Sequence, residues 1–165
     1  MKILFVSAIL PYPLHSGGQI RIYHLLKQLA LHHKISLFAF IRDPEERTLV
    51  RHLSFCRKVE LVLRGRAWQP RYLISALGKY PFLLSTYNSH QMRLRLQKEL
   101  ETEKYDLIHL EPFYVWPALP RTHFPLVVAE HNIEYRVYSD YVRRSPWIPL
   151  RPLMYADVLK LRFWE

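Results

Sequence analysis

Residues 3–6 (Ile-Leu-Phe-Val) and 35–41 (Ile-Ser-Leu-Phe-Ala-Phe-Ile) are apolar runs with almost no polar break. A strand with one wet face alternates between apolar and polar residues, whereas a strand covered on both faces does not. These two runs therefore predict strands inside a parallel sheet. Pro11 and Pro13 end the first, because neither can donate to a ladder. Between the runs Ile22, Leu25, Leu26, Leu29 and Ala30 recur at helical spacing, so one helix face must pack on the sheet.

The same alternation continues. Asp43 followed by Pro44 predicts a capped helix to about Leu53, and a more alternating third strand follows at Lys58–Leu63. Asn88 is the expected cap of a helix whose Met92, Leu96 and Leu100 lie opposite Arg93, Gln97, Glu101 and Lys104. Residues 106–110 and 124–129 read as the fourth and fifth strands. Residues 137–164 are broken by Pro146, Pro149 and Pro152, and turn helical from Pro152 on. Strands alternating with helices give βαβ units. The expected fold is α/β, a Rossmann-like doubly wound parallel sheet with helices on both faces.

At 165 residues the chain is expected to form a single domain, 1–165, with a core of its own. Cys56 is the only cysteine, which excludes an internal disulfide, a zinc ribbon or an iron–sulfur cluster. No run of 18 apolar residues occurs. No small-residue cleavage site follows the first apolar run. The expected location is cytoplasmic, with peripheral membrane contact left open.

The formal charge is +10, and residues 42–95 carry eleven Lys/Arg against four Asp/Glu, which is +7. Such a patch fits an anionic partner, or a solvated face that binds nothing in particular. Within it, residues 65–90 mix Trp68, Tyr72, Leu73, Ile74, Tyr80, Phe82 and Tyr87 with Arg66, Arg71 and Lys79, just after Arg64. Core packing is the favoured reading of these apolar side chains; a bilayer-facing surface is the other.

In an open α/β sheet, ligands gather at the carboxyl ends of the strands. Three loops meet that edge: residues 9–18, 111–114 and 130–135. The first carries Ser16, a preferred helix cap, and Gly17-Gly18, whose bare backbone and free N–H groups suit an anion or merely make a turn. The second opens with Glu111. In the third, His131 lies beside Asn132 and between Glu130 and Glu134. There it can serve as donor, base or charge stabiliser, or simply satisfy a turn. His109, within a strand, reads as structural. No helical His pair or Cys/His cluster supports a metal site. G-x-S-x-G, the Walker sequence and G-x-G-x-x-G are all missing.

Lys2-Ile-Leu-Phe-Val, Pro11-Tyr-Pro and Ser16-Gly-Gly-Gln-Ile-Arg-Ile-Tyr-His-Leu-Leu together resemble the start of GT-B glycosyltransferases, in the large retaining group often numbered family four. Tyr105-Asp-Leu-Ile-His-Leu-Glu111 and Val128-Ala-Glu-His-Asn-Ile-Glu134 are similar to later motifs of the same amino-terminal domain, in the same order.

The resemblance implies one half of a GT-B architecture, the acceptor-binding half. The carboxyl-terminal donor domain, with its paired-glutamate motif, is absent from this sequence. The expected activity is retaining transfer of a sugar from a nucleotide-sugar co-substrate to a sugar or lipid-linked acceptor, with no turnover by this half alone. No metal or other cofactor is implied. By this likeness Gly17 and Gly18 lie near the donor diphosphate, and His131 and Glu111 are the catalytic candidates. Tyr12, His15, Arg21, Glu130, Asn132 and Glu134 are the acceptor-side candidates. The competing reading is a non-catalytic basic module that docks an anionic membrane surface or a nucleic acid. Nucleic acid is the weaker of these partners, since no recognised binding module appears.

Overall fold

The computed structural model of the chain describes residues 1–64, 69 and 77–165. Five strands form one all-parallel sheet: β1 (Lys2–Ser7), β2 (Lys34–Ile41), β3 (Lys58–Leu63), β4 (Leu107–Glu111) and β5 (Leu126–Val128). Their order is β3-β2-β1-β4-β5, the arrangement of a Rossmann-like half. The strand order reverses between β1 and β4, whose register pairs Ser7 with Glu111.

The strand pleat sorts the core into two layers. Leu4, Val6, Phe38, Phe40, Ile108 and Leu110 point to one face, where α3 (His90–Thr102) packs Met92 and Leu96. Tyr87 of α2 (Phe82–Tyr87) joins that cluster, as do Val115 and Ala118 from the 3-10 segment Phe113–Ala118. Ile3, Phe5, Ile35, Leu37, Ala39 and Ile41 point the other way, against Ile22 and Leu26 of α1 (Gly17–Ala30). Helices thus cover both faces, which is why β1 and β2 carry no polar alternation. Cys56 lies buried in this second layer, and burial pushes its thiol up to about 12.

Several local elements differ from expectation. Asp43 does cap, accepting from the Glu45 amide at 3.0 Å, but Pro44–Leu53 winds as a 3-10 segment. At that pitch Val50 and Leu53, three residues apart, eclipse and both reach the core. Ser89, not Asn88, caps α3, accepting from the Met92 amide at 3.2 Å. The Asn88 side-chain oxygen Oδ1 instead accepts from Arg93 Nη2 at 3.1 Å. β4 begins and ends one residue later than expected, and β5 shrinks to three residues.

An unbroken helix, α4 (Glu134–Arg144), precedes Pro146. The prolines leave it intact and set the turn into α5 (Arg151–Trp164). Both helices pack near α2, where Leu84, Phe113 and Leu161 are buried with Tyr135 and Tyr138 beside them. Among the aromatic residues of the basic third, Tyr80 and Tyr87 belong to core clusters. Trp68, Tyr72, Leu73, Ile74, Arg66 and Arg71 lie outside the described residues.

Candidate active site at the strand-order reversal

Glu111 is the last residue of β4, and its side chain is fully buried. An isolated carboxylate there would be costly, so its partners decide what the site is. Three surround it. His131 Nε2 lies 2.7 Å from Oε1, and His109 Nε2 lies 2.8 Å from Oε2. The Arg21 guanidinium makes an ion pair with Oε1. Arg21 Nη1 is also 3.4 Å from His131 Nε2.

Each partner arrives by a different route. Arg21 sits one turn beyond Gly17 on α1, so it shares a helix side with the start of that helix. His109 and Glu111 are two apart on β4 and therefore project from the same face. His109 stacks on Phe5 of β1, with ring centroids 4.4 Å apart and planes 9° off parallel. His131 comes from the turn after β5. Its side chain is 24% exposed, the most open of the two histidines bound to Glu111.

The electrostatics keep both imidazoles neutral. Burial, then the nearby Arg21 charge, lowers the His109 pKa to about 4. The same two causes, in the same order, lower that of His131. With Glu111 accepting, Nε2 is the protonated nitrogen of each ring. That leaves His131 Nδ1 as an acceptor lone pair on the more open imidazole.

The flanking residues form a second tier. Glu130 Oε1 accepts from the Phe113 amide at 3.1 Å. The residue is exposed overall, yet desolvation of its carboxyl pushes its pKa up to about 7. Glu134 is also raised, by desolvation, against a hydrogen bond from the Asn132 side chain. Its amide and that of Tyr135 donate to the Glu165 carboxylate at 2.7 and 2.9 Å, capping α4.

Ser16 caps α1, its hydroxyl accepting from the Gln19 amide at 3.3 Å. The Gly17 and Gly18 amides have no partner among the described residues. A Cβ on Gly17 would meet nothing within 4 Å, and one on Gly18 only Ile9 Cδ1 at 3.9 Å. The fold itself does not demand glycine at either position.

Tyr12 and His15 fall elsewhere. The Tyr12 ring stacks on His52, centroids 4.0 Å apart, towards the 3-10 segment after β2. His15 lines a cavity of about 700 Å³ with Leu10, Ser16, Gln19, Phe40 and Arg42, at the carboxyl ends of β1 and β2. A larger cavity, about 820 Å³, is lined by Arg93, Trp116, Arg121, Phe124 and Trp164 and by none of the candidate residues.

The structure thus brings together Glu111, His131 and Arg21, with Glu130, Asn132 and Glu134 beside them. It adds His109, which the sequence reading set aside as structural. The spacing of His109 and Glu111 on one strand was the available signal. No protein-family model matches the chain, and neither does any curated protein or solved structure.

Proposed function

We propose that this chain is the acceptor-side half of a retaining glycosyltransferase, working with a donor domain that carries the nucleotide-sugar. The observation that carries the reading is the buried Glu111 at the strand-order reversal, held by Arg21 and by two neutral histidines.

A departing nucleoside diphosphate concentrates negative charge on its phosphate oxygens, and preorganised donors there lower the barrier. The open amides of Gly17 and Gly18 at the start of α1 are such donors, and the Arg21 guanidinium lies one turn further on. Glu111 fixes the tautomer and orientation of His131. The His131 Nδ1 lone pair can then accept from a sugar hydroxyl close to the breaking bond. Glu111 is too buried to attack a sugar itself, so its role is to position. His15, Gln19 and Arg42 give the 700 Å³ cavity a polar wall for the acceptor.

The test compares this chain with the product of the longest reading frame that contains it, using labelled nucleotide-sugars and extracted membranes as acceptor. Transfer by the longer product alone is expected. Transfer by residues 1–165 alone, or by neither protein across the common donors, would refute the reading.

A further inference from the structure

The turn joining α4 to α5 exposes large apolar side chains that the core could have used. Trp147 is 66% exposed, Ile148 65% and Leu150 50%. Scattered exposed apolar residues are ordinary, but a cluster on one short turn is not. The turn is also held in shape. The buried Ser145 accepts from the Trp147 amide through its hydroxyl at 3.3 Å. Its carbonyl accepts from Arg151 Nη2 at 2.8 Å. The Leu150 amide donates to the Trp147 carbonyl at 3.0 Å. Pro146, Pro149 and Pro152 restrict it further.

Charge identifies what this tip meets. Residues 141–156 contain three arginines and no lysine, aspartate or glutamate. Arg143 and Arg144 are exposed at the end of α4. Arg143 pairs with the exposed Asp140 at 3.0 Å, a surface contact that a lipid phosphate can replace, and Arg144 makes no hydrogen bond or ion pair among the described residues. An anionic bilayer matches both features, the apolar tip and the arginines that flank it. Tryptophan suits the headgroup boundary, aliphatic side chains the acyl region, and arginines the lipid phosphates.

We propose that the Trp147–Ile148 tip inserts into the interface of an anionic membrane, with Arg143 and Arg144 paired to lipid headgroups. The proposal stands apart from the transferase reading, since it requires no sugar chemistry. No helix among the described residues is long and apolar enough to cross a membrane, so attachment through this turn would be peripheral.

The test is sedimentation of the full chain with vesicles of phosphatidylcholine alone, or with about 30% phosphatidylglycerol, at low and high salt. Binding to the anionic vesicles that weakens with salt is expected. With roughly fivefold per arginine, R143Q/R144Q should lower partitioning on the order of 30-fold, and W147S/I148S at least tenfold. Both variants should keep the parent circular dichroism and melting temperature, because the altered side chains are exposed. Equal binding by either variant, equal binding to neutral vesicles, or no binding at low salt would overturn the proposal. So would a lipid-free dimer that W147S/I148S abolishes, since a second copy would then be what covers the tip.

Discussion

His131 Nε2 sits 2.7 Å from Glu111 Oε1, although β5 and the turn after it must form before the two can meet. The contact joins an accessible imidazole to a carboxylate with no exposed surface. One member can reach a ligand; the other can only steer it.

Under the proposed transferase reading, replacing His131 with alanine in the two-domain protein should therefore cost on the order of 100-fold in turnover. The melting temperature should move little, because Glu111 keeps Arg21 and His109 as partners. Steady-state kinetics beside calorimetry separates the two effects. Activity lost only in proportion to unfolding would make His131 a structural residue.

Arg21 tests the electrostatics without any substrate. Its charge contributes to lowering the pKa of both His109 and His131. In Arg21→Met, imidazole titrations followed by NMR should move upward for both rings. If neither moves, the ion pair with Glu111 does not persist in solution.

Gly17 and Gly18 offer a separation of stability from function. An alanine Cβ fits at both positions, and alanine in a helix is favoured over glycine by about 0.5–1 kcal/mol. Gly17→Ala should therefore raise the melting temperature slightly. Under the proposed transferase reading, a bulkier Gly18→Val should lower turnover of the two-domain protein sharply while the domain stays folded. Full activity in that variant would reduce the glycine pair to an ordinary turn.

Acid stability carries a signature of His109. Its folded pKa of about 4 lies below the ordinary histidine value of 6.5, so the unfolded chain binds more protons between those limits. Stability from this group is complete above about pH 6.5 and is lost as pH falls towards 4. The loss is on the order of 3 kcal/mol. Glu130 acts oppositely: its pKa is raised to about 7, so its contribution declines as pH rises from 4.5 to 7. That contribution is small, because the residue is largely exposed. Urea melts of His109→Gln should show a shallower decline from pH 6.5 to 4.5 than the parent protein. Parallel curves would contradict the buried, neutral assignment.

The sheet was the most legible part of the chain, because β1 and β2 are covered on both faces and their composition reports it directly. Gly17, Ser16 and the carboxyl edge followed from the same logic. The α3 cap was misread by one residue, since Asn88 and Ser89 are both good caps and only the Arg93 contact to Asn88 decides between them. Three prolines drew attention from α4, which ends before the first of them. At the site, Glu111, Arg21 and His131 were each visible as residues of interest, but not as one cluster. Their association depends on β1 and β4 being neighbours, which no local pattern encodes. His109 was missed because a strand histidine is usually read through burial alone, and here its hydrogen bond matters more.

The neighbouring of β1 and β4 also bears on how the protein acquires its site. The Lys2 amide donates to Asp106 at 2.7 Å across 104 residues of sequence. β1, β2 and β3 pair in chain order, whereas the β1–β4 seam must close a loop containing most of the intervening chain. Such long-range pairing is slow to form compared with local contacts. Arg21 reaches Glu111 only across that seam, so the Arg21–Glu111–His131 cluster exists only once the two ends of the domain have closed.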